Sequence, residues 1–247
     1  KGPNGEIWFA YAEETDKDSS DIFFTRYTSA FKPIAAATRL TELLDKKEKV
    51  SPHARGPSIG FASNAAMLVF RLEQSRDRTA MSQRFAVSDP HFASGVQSVP
   101  GVRPSSDQSV GELKPLTDKS RKAGMPTLAC DETSCFAVWR EEPKGVAATY
   151  LDPSTGASLW SKRFAPKATQ ASVSSDGHGA GMVSFYESGR IRLAPITRDG
   201  IAEAISVGRV TGEQAAPSVT FAGQPGEWLV SWTDYEAGHL EAFVGRV

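Results

Sequence analysis

Five segments of this 247-residue chain share one pattern, an apolar run closed by a large aromatic ring and followed by acid. They are IWFAYAEE from Ile7, MLVFRLE from Met67, FAVWREE from Phe136, GMVSFYE from Gly181 and WLVSWTD from Trp228. The closing rings are Tyr11, Phe70, Trp139, Phe185 and Trp232, at intervals of 59, 69, 46 and 47 residues. Self-similarity at such a period constrains the fold more tightly than any single residue does.

Each recurrence carries companions. A second element precedes four of the rings: GPSIGF at Gly56, MPTLAC at Met125, QASVSS at Gln170 and APSVTF at Ala216. The residues between the two elements, such as DETS, DGHG and GQPG, read as hairpin turns. Third elements (DIFFTRYT, TAMSQRFA, VAATYLD, IRLAPIT, LEAFVGRV) and fourth elements (ATRLT, LKPLT, SKRFA, VGRVT) complete a unit of four short strands, here called A to D. Four antiparallel strands in tandem copies are the signature of an all-β propeller blade. Strands B are apolar on both faces, as a sheet sandwiched between neighbours requires, and the B-strand ring is sized to fill the wedge between blades. A β-sandwich is the alternative, and the in-phase recurrence argues against it.

The expected modules are 1–42, 55–118, 125–166, 170–212 and 215–247, about five blades with incomplete ends that run B-C-D at the start and A-B-C at the finish. Bare strand edges call for further polypeptide to complete the propeller, with a self-contained five-bladed ring as the competing arrangement. Residues 87–113, rich in Ser, Pro and Gly, read as a long insertion loop in the second module. Apolar residues at Ile34, Ala37, Leu40 and Leu44 predict a short helix near Glu42 to Lys49.

Cys130 and Cys135 flank a four-residue turn between strands A and B, so their side chains meet across a hairpin. A disulfide is expected, and with it an oxidising compartment. A structural zinc would need four ligands, and no histidine or further cysteine is near in sequence. Acids recur after strand B: Glu13 and Glu14, Glu73, Glu141 and Glu142 beside Arg140, Glu187, and Asp234. Repetition at one place in every module favours turn capping or rim solvation; as a functional set they would form a rim attracting cations or basic partners. DKDSSD offers Asp16, Asp18 and Asp21 as a calcium candidate, without the glycine and distal glutamate of an EF-hand. No other metal or cofactor is expected.

A formal net charge of −1 gives no general attraction to nucleic acid. No window reaches the roughly eighteen apolar residues that insert into a bilayer. His53, His91, His178 and His239 show no ligand spacing, and no G-x-S-x-G, P-loop or H-E-x-x-H is present.

At PSVTF…GEWLVSWTDY and PTLACDETSCFAVWREE the chain resembles the tandem propeller repeats of secreted and surface proteins of bacteria. That resemblance implies a periplasmic, secreted or cell-surface scaffold. SSDGHGAGMVSFY is similar to the Asp-box of sialidases, S-x-D-x-G-x-x-W, without its terminal tryptophan and placed in the A–B hairpin. The function expected from sequence is a non-catalytic exported module that recognises a protein or glycan through its loops. A sialidase-like glycan-processing enzyme is the rival, and a structural subunit of a surface assembly the third reading.

Overall fold

The computed structural model describes residues 5–16, 19–41, 43, 52–62, 65–86, 113–118, 121–143, 145–211, 215–236 and 239–247. Among them every regular element is a strand, and the chain divides into two compact units. The segments expected to form the Glu42 to Lys49 helix and the 87–113 insertion lie outside the described residues, apart from Leu43 and Leu113.

The first unit, Lys1–Pro126 with Pro153–Gly156, contains β1 (Ile7–Asp16), β2 (Ser19–Tyr27), β3 (Thr38–Arg39), β4 (Pro52–Ala62), β5 (Ala65–Gln74), β6 (Asp77–Ala86) and β7 (Lys114–Pro115). Its strands form two antiparallel meanders, β1-β2-β3 and β4-β5-β6-β7, linked by one parallel bridge from Ser20 to His53. β5 is buried at every residue from Ala65 to Phe70, which is why the segment reads as continuously apolar instead of alternating. Ala66, Leu68 and Phe70 form one core with Trp8, Ile22 and Phe24 of the preceding meander. Trp8 meets Phe61 edge-on at 4.0 Å and Phe24 at 4.6 Å, the tilted geometries that ring quadrupoles favour.

The second unit, Thr127–Asp152 with Ala157–Val247, holds three sheets. β8 (Thr127–Cys130), β9 (Cys135–Arg140), β10 (Val146–Leu151) and β11 (Ser158–Ala165) make a four-stranded meander. β12 (Gln170–Ser175), β13 (Ala180–Glu187) and β14 (Arg190–Thr197) continue into a short β15 (Gly200–Ile201) and β16 (Ile205–Arg209), both paired to β14. β17 (Ser218–Phe221), β18 (Trp228–Glu236) and β19 (His239–Arg246) form the last sheet. β11, at its sheet's edge, is mostly exposed, whereas β9 and β10 are buried almost throughout.

Three of the five recurring rings, Phe70, Phe185 and Trp232, sit on a core shared with the strands before them. Phe185 on β13 is fully buried in a core shared with Phe136 and Val138 of the sheet before it, with Phe164 edge-on at 5.5 Å. Trp232 on β18 packs on the core that contains Met182, Ile191 and Leu193, again from the sheet before. Phe70 does the same toward β1 and β2. Since Phe136 and Val138 face the following sheet, the alternation of strand side chains puts Trp139 on the opposite face of β9, where it too is fully buried. Tyr11 is only half-buried and stacks on its cross-strand partner Phe23.

Close ring approach needs small residues opposite. A Cβ at Gly208 would lie 3.0 Å from Trp232 Cζ2, so glycine lets β16 come against the indole. Gly181 is tighter: a Cβ there would sit 2.8 Å from the Ser174 carbonyl oxygen and 3.0 Å from Phe136 Cδ2. Backbone cannot yield as a flexible side chain does. Gly181→Ala is therefore expected to cost about 1–3 kcal/mol by overpacking, read as a lowered denaturation midpoint with an unchanged m-value.

Candidate functional site

The A–B hairpin of the second unit's first sheet brings Cys130 and Cys135 into register as a cross-strand pair, and they form a disulfide with Cα atoms 4.1 Å apart. The loop it closes is short. Replacing both cysteines by serine is expected to cost about 2 kcal/mol on the chain-entropy account, measured by chemical denaturation.

Inside that loop lies a residue that sequence reasoning passed over. Asp131 is buried and accepts hydrogen bonds from the Thr133 and Ser134 backbone N–H groups, both at 2.9 Å, and from both of their hydroxyls. It also receives the Ser175 hydroxyl and the Gly179 N–H, so it ties the β8–β9 turn to the β12–β13 turn. Burial alone would raise its pKa, yet the bonds from Ser175, Thr133, Ser134 and Gly179 outweigh that and hold the carboxyl below its ordinary value. The neighbouring Asp-box-like stretch folds locally: Asp176 Oδ1 accepts the N–H groups of His178 and Ala180 and shapes the turn.

The recurring acids are not one uniform rim. Glu13 and Glu14 are exposed on β1, and Arg140 is exposed with its guanidinium on the Pro143 carbonyl. Glu142, next in sequence to Glu141, is half-buried. Glu141 is buried and paired with Arg163 at 3.2 Å. Asp234 is buried and accepts the Thr211 N–H and hydroxyl, each at 2.9 Å, and the Tyr235 N–H at 2.7 Å. Glu73 gathers three arginines, Arg55, Arg71 and Arg78. Of the calcium candidates, Asp16 ends β1, Asp18 lies outside the described residues, and Asp21 is fully buried with its oxygens taken by Arg39, Thr15, Thr41 and the Leu43 N–H. Among the described residues no three His, Cys, Asp or Glu side chains gather as a metal site.

One member of the acid series does border a cleft. A cavity of 390 Å³ within the second unit is lined by Lys162 to Ala165 of β11, Phe185 and Glu187 of β13, Arg192 of β14, and Ile201 to Ala204. Glu187, at the end of β13, is gripped by Arg192 Nη1 at 3.1 Å, and Arg192 Nη2 donates to the Ala204 carbonyl at 2.8 Å. That clamp orients the carboxylate and pins the β15–β16 connection. Glu203 stands on this connection, exposed and without an ion-pair partner among the described residues. The cleft thus offers one braced and one unbraced carboxylate, three cationic side chains, and two phenylalanine rings. Glycoside hydrolysis works through a pair of carboxylates flanking the scissile bond, and this cleft is lined by two.

No protein-family model matches the sequence. Sequence comparison with curated proteins likewise yields no match. Solved structures are informative. The endo-arabinase from Bacteroides thetaiotaomicron VPI-5482 aligns over 100% of this chain and 91% of its own, with a TM-score of 0.53 and 8% identity. Trypanosoma rangeli sialidase aligns over 98% of this chain with a TM-score of 0.54 and 9% identity, and its complex with the inhibitor DANA gives 0.56 and 7%. This chain spans 45% of the sialidase's length. These neighbours are β-propellers, and the all-β fold of this chain is of their kind.

The comparison corrects the functional expectation. A non-catalytic exported module recognising a protein or glycan was expected, with a sialidase-like glycan-processing enzyme as its rival; the solved structures aligned above, an endo-arabinase and a sialidase, fit the rival better. A pair of carboxylates placed by the fold on either side of a glycosidic bond leaves no contiguous motif in the sequence. Among the described residues no helix is long and apolar enough to cross a membrane.

Proposed function

We propose that this chain is a glycan-processing hydrolase, exported to an oxidising compartment, and that its second-unit cleft carries the chemistry. The observation that supports this most is that Glu187, fixed by Arg192, and Glu203, on the β15–β16 connection, line one cavity. In the division of labour that glycoside hydrolysis uses, the braced Glu187 serves as the nucleophile or base and the exposed Glu203 as the proton donor to the leaving oxygen. Phe164 provides apolar surface for a sugar face, and Lys162 and Arg163 polar contacts at the margin. The Cys130–Cys135 bridge supports export. A propeller of about five blades is part of this reading, and the near-complete overlap with the endo-arabinase supports its propeller kind. The endo-arabinase and the sialidase supply the two substrate classes to try, arabinan-type and sialylated.

The test is incubation with linear arabino-oligosaccharides and, in parallel, sialyl-oligosaccharides, following the release of reducing ends and free sugar. Turnover on one class supports the reading and names the substrate. Binding to a glycan without any release across the panel contradicts it.

A further inference from the structure

One face of the β1–β2 pair carries aromatic rings that build no core. The register is unbroken from Ile7 to Glu14, so Ile7, Phe9, Tyr11 and Glu13 share a face with their partners Tyr27, Thr25, Phe23 and Asp21. Phe9 meets Tyr27 edge-on at 5.6 Å, and Tyr11 stacks on Phe23 at 5.9 Å. The opposite face, with Trp8, Ile22 and Phe24, is the one that packs into the first unit's core. Among the described residues none of the four rings belongs to a core: Phe9 is 44% exposed, and Tyr11, Phe23 and Tyr27 are half-buried. Past Tyr27, the next turn holds Phe31 at φ 58° with its ring 66% exposed. A large apolar residue in the left-handed region is strained, and strain of that kind gathers at ligand sites.

Size and charge select the occupant. Two strands wide and running from Ile7 to Glu13, the face measures roughly 10 Å by 20 Å, on the order of 200 Å², against about 800 Å² per partner in a stable protein interface. That is far short of what a second folded protein needs, and it suits a narrow chain. The charged groups in these rows are Glu13, which is exposed, and Asp21, which is buried and held by Arg39 at 2.5 Å. Asp21 and Arg39 cancel, and Glu13 leaves the face negative, so it disfavours acidic polymers. Burial, Glu13 and Tyr27 together raise the pKa of the Tyr11 phenol, so its hydroxyl stays protonated and able to donate.

We propose that this face is a secondary glycan-binding site on which the sugar rings of a neutral polysaccharide chain stack along Phe9 and Tyr11. The C–H face of a sugar is apolar and meets the negative face of an aromatic ring, while its hydroxyls find a polar tip such as the Tyr11 phenol. The site stands on the first unit's rings and charges, whether or not the second-unit cleft hydrolyses glycans.

Native affinity electrophoresis of the full chain through gels containing linear arabinan, xylan, hydroxyethylcellulose or polygalacturonate tests it. Expected are retardation by at least one neutral polymer, none by polygalacturonate, and an affinity lowered about 3–10-fold in Phe9→Ala and in Tyr11→Ala. No retardation by any neutral polymer overturns the proposal, as does retardation by polygalacturonate equal to or stronger than theirs. Retardation that Phe9→Ala and Tyr11→Ala leave unchanged places the glycan elsewhere and overturns it too. Self-association in sedimentation that Phe9→Ala abolishes gives the face to a second copy of the chain, and the proposal falls. Phe9→Ala alters an exposed ring and keeps the test decisive even where Tyr11→Ala fails to fold. Retardation without any turnover contradicts the hydrolase reading alone.

Discussion

Glu187→Gln and Glu203→Gln will each slow glycan release by about 10²–10⁴-fold, the range typical of losing a general acid or base. Glutamine keeps the size of the side chain and can still accept a hydrogen bond from Arg192, so the clamp on the Ala204 carbonyl persists and the melting temperature should move little. The double variant should be scarcely slower than either single one, because residues that act as a unit are not additive. The two losses should also differ in kind. Removing the proton donor Glu203 spares substrates whose leaving group needs no protonation, such as aryl glycosides; removing Glu187 spares none. Kinetics on an aryl glycoside and on an oligosaccharide, side by side, separate the roles. If either variant retains full activity on both, the assignment of that residue is wrong.

Asp131→Ala carries the largest expected effect on stability, about 3–5 kcal/mol. The substitution strips the acceptor from the Thr133, Ser134 and Gly179 N–H groups at once and unties the β8–β9 turn from the β12–β13 turn. For a chain of this length that corresponds to a fall of roughly 10 °C in Tm. The same carboxylate predicts an acid limb. Its folded pKa is depressed, so its contribution is complete above the unfolded value of about 3.9 and is lost as pH falls through the folded value. Asp131→Asn should therefore flatten the pH dependence of stability below about pH 4 while leaving the neutral region uniformly less stable. Denaturant titrations from pH 2 to 7 on both proteins provide the check. An unchanged acid limb in the asparagine variant would show that other carboxylates carry it.

Strands and the disulfide were legible in the sequence because their signals are local. Alternating or continuous apolar runs, turn residues between them and two cysteines at a hairpin are all read within a dozen positions, and β5, β9 and β13 lie where Phe70, Trp139 and Phe185 marked them. The sites were less legible because their partners are brought together by register. Glu187 belongs to an evident series, yet Arg192 reaches it across the β13–β14 hairpin, and Arg163 reaches Glu141 from β11 with β10 between. Arg55, Arg71 and Arg78 come from three strands and share a face only through pairing. Glu203 sits in an irregular connection where no pattern marks it. Asp131 was hidden by its neighbours, since the cysteines on either side drew attention to the bridge. Only the degenerate Asp-box-like stretch from Ser174 hinted at a glycan-processing enzyme: at 8–9% identity, the likeness to the solved glycosidase structures lies in the arrangement of strands.

A crystal structure of the Glu203→Gln variant soaked with an arabino-oligosaccharide examines the central claim most directly. The account predicts a glycosidic oxygen within hydrogen-bond reach of residue 203, a sugar ring against Phe164, and the Glu187 carboxylate beside the anomeric carbon. Sugar density at another place on the chain, with this cleft holding only solvent, contradicts it.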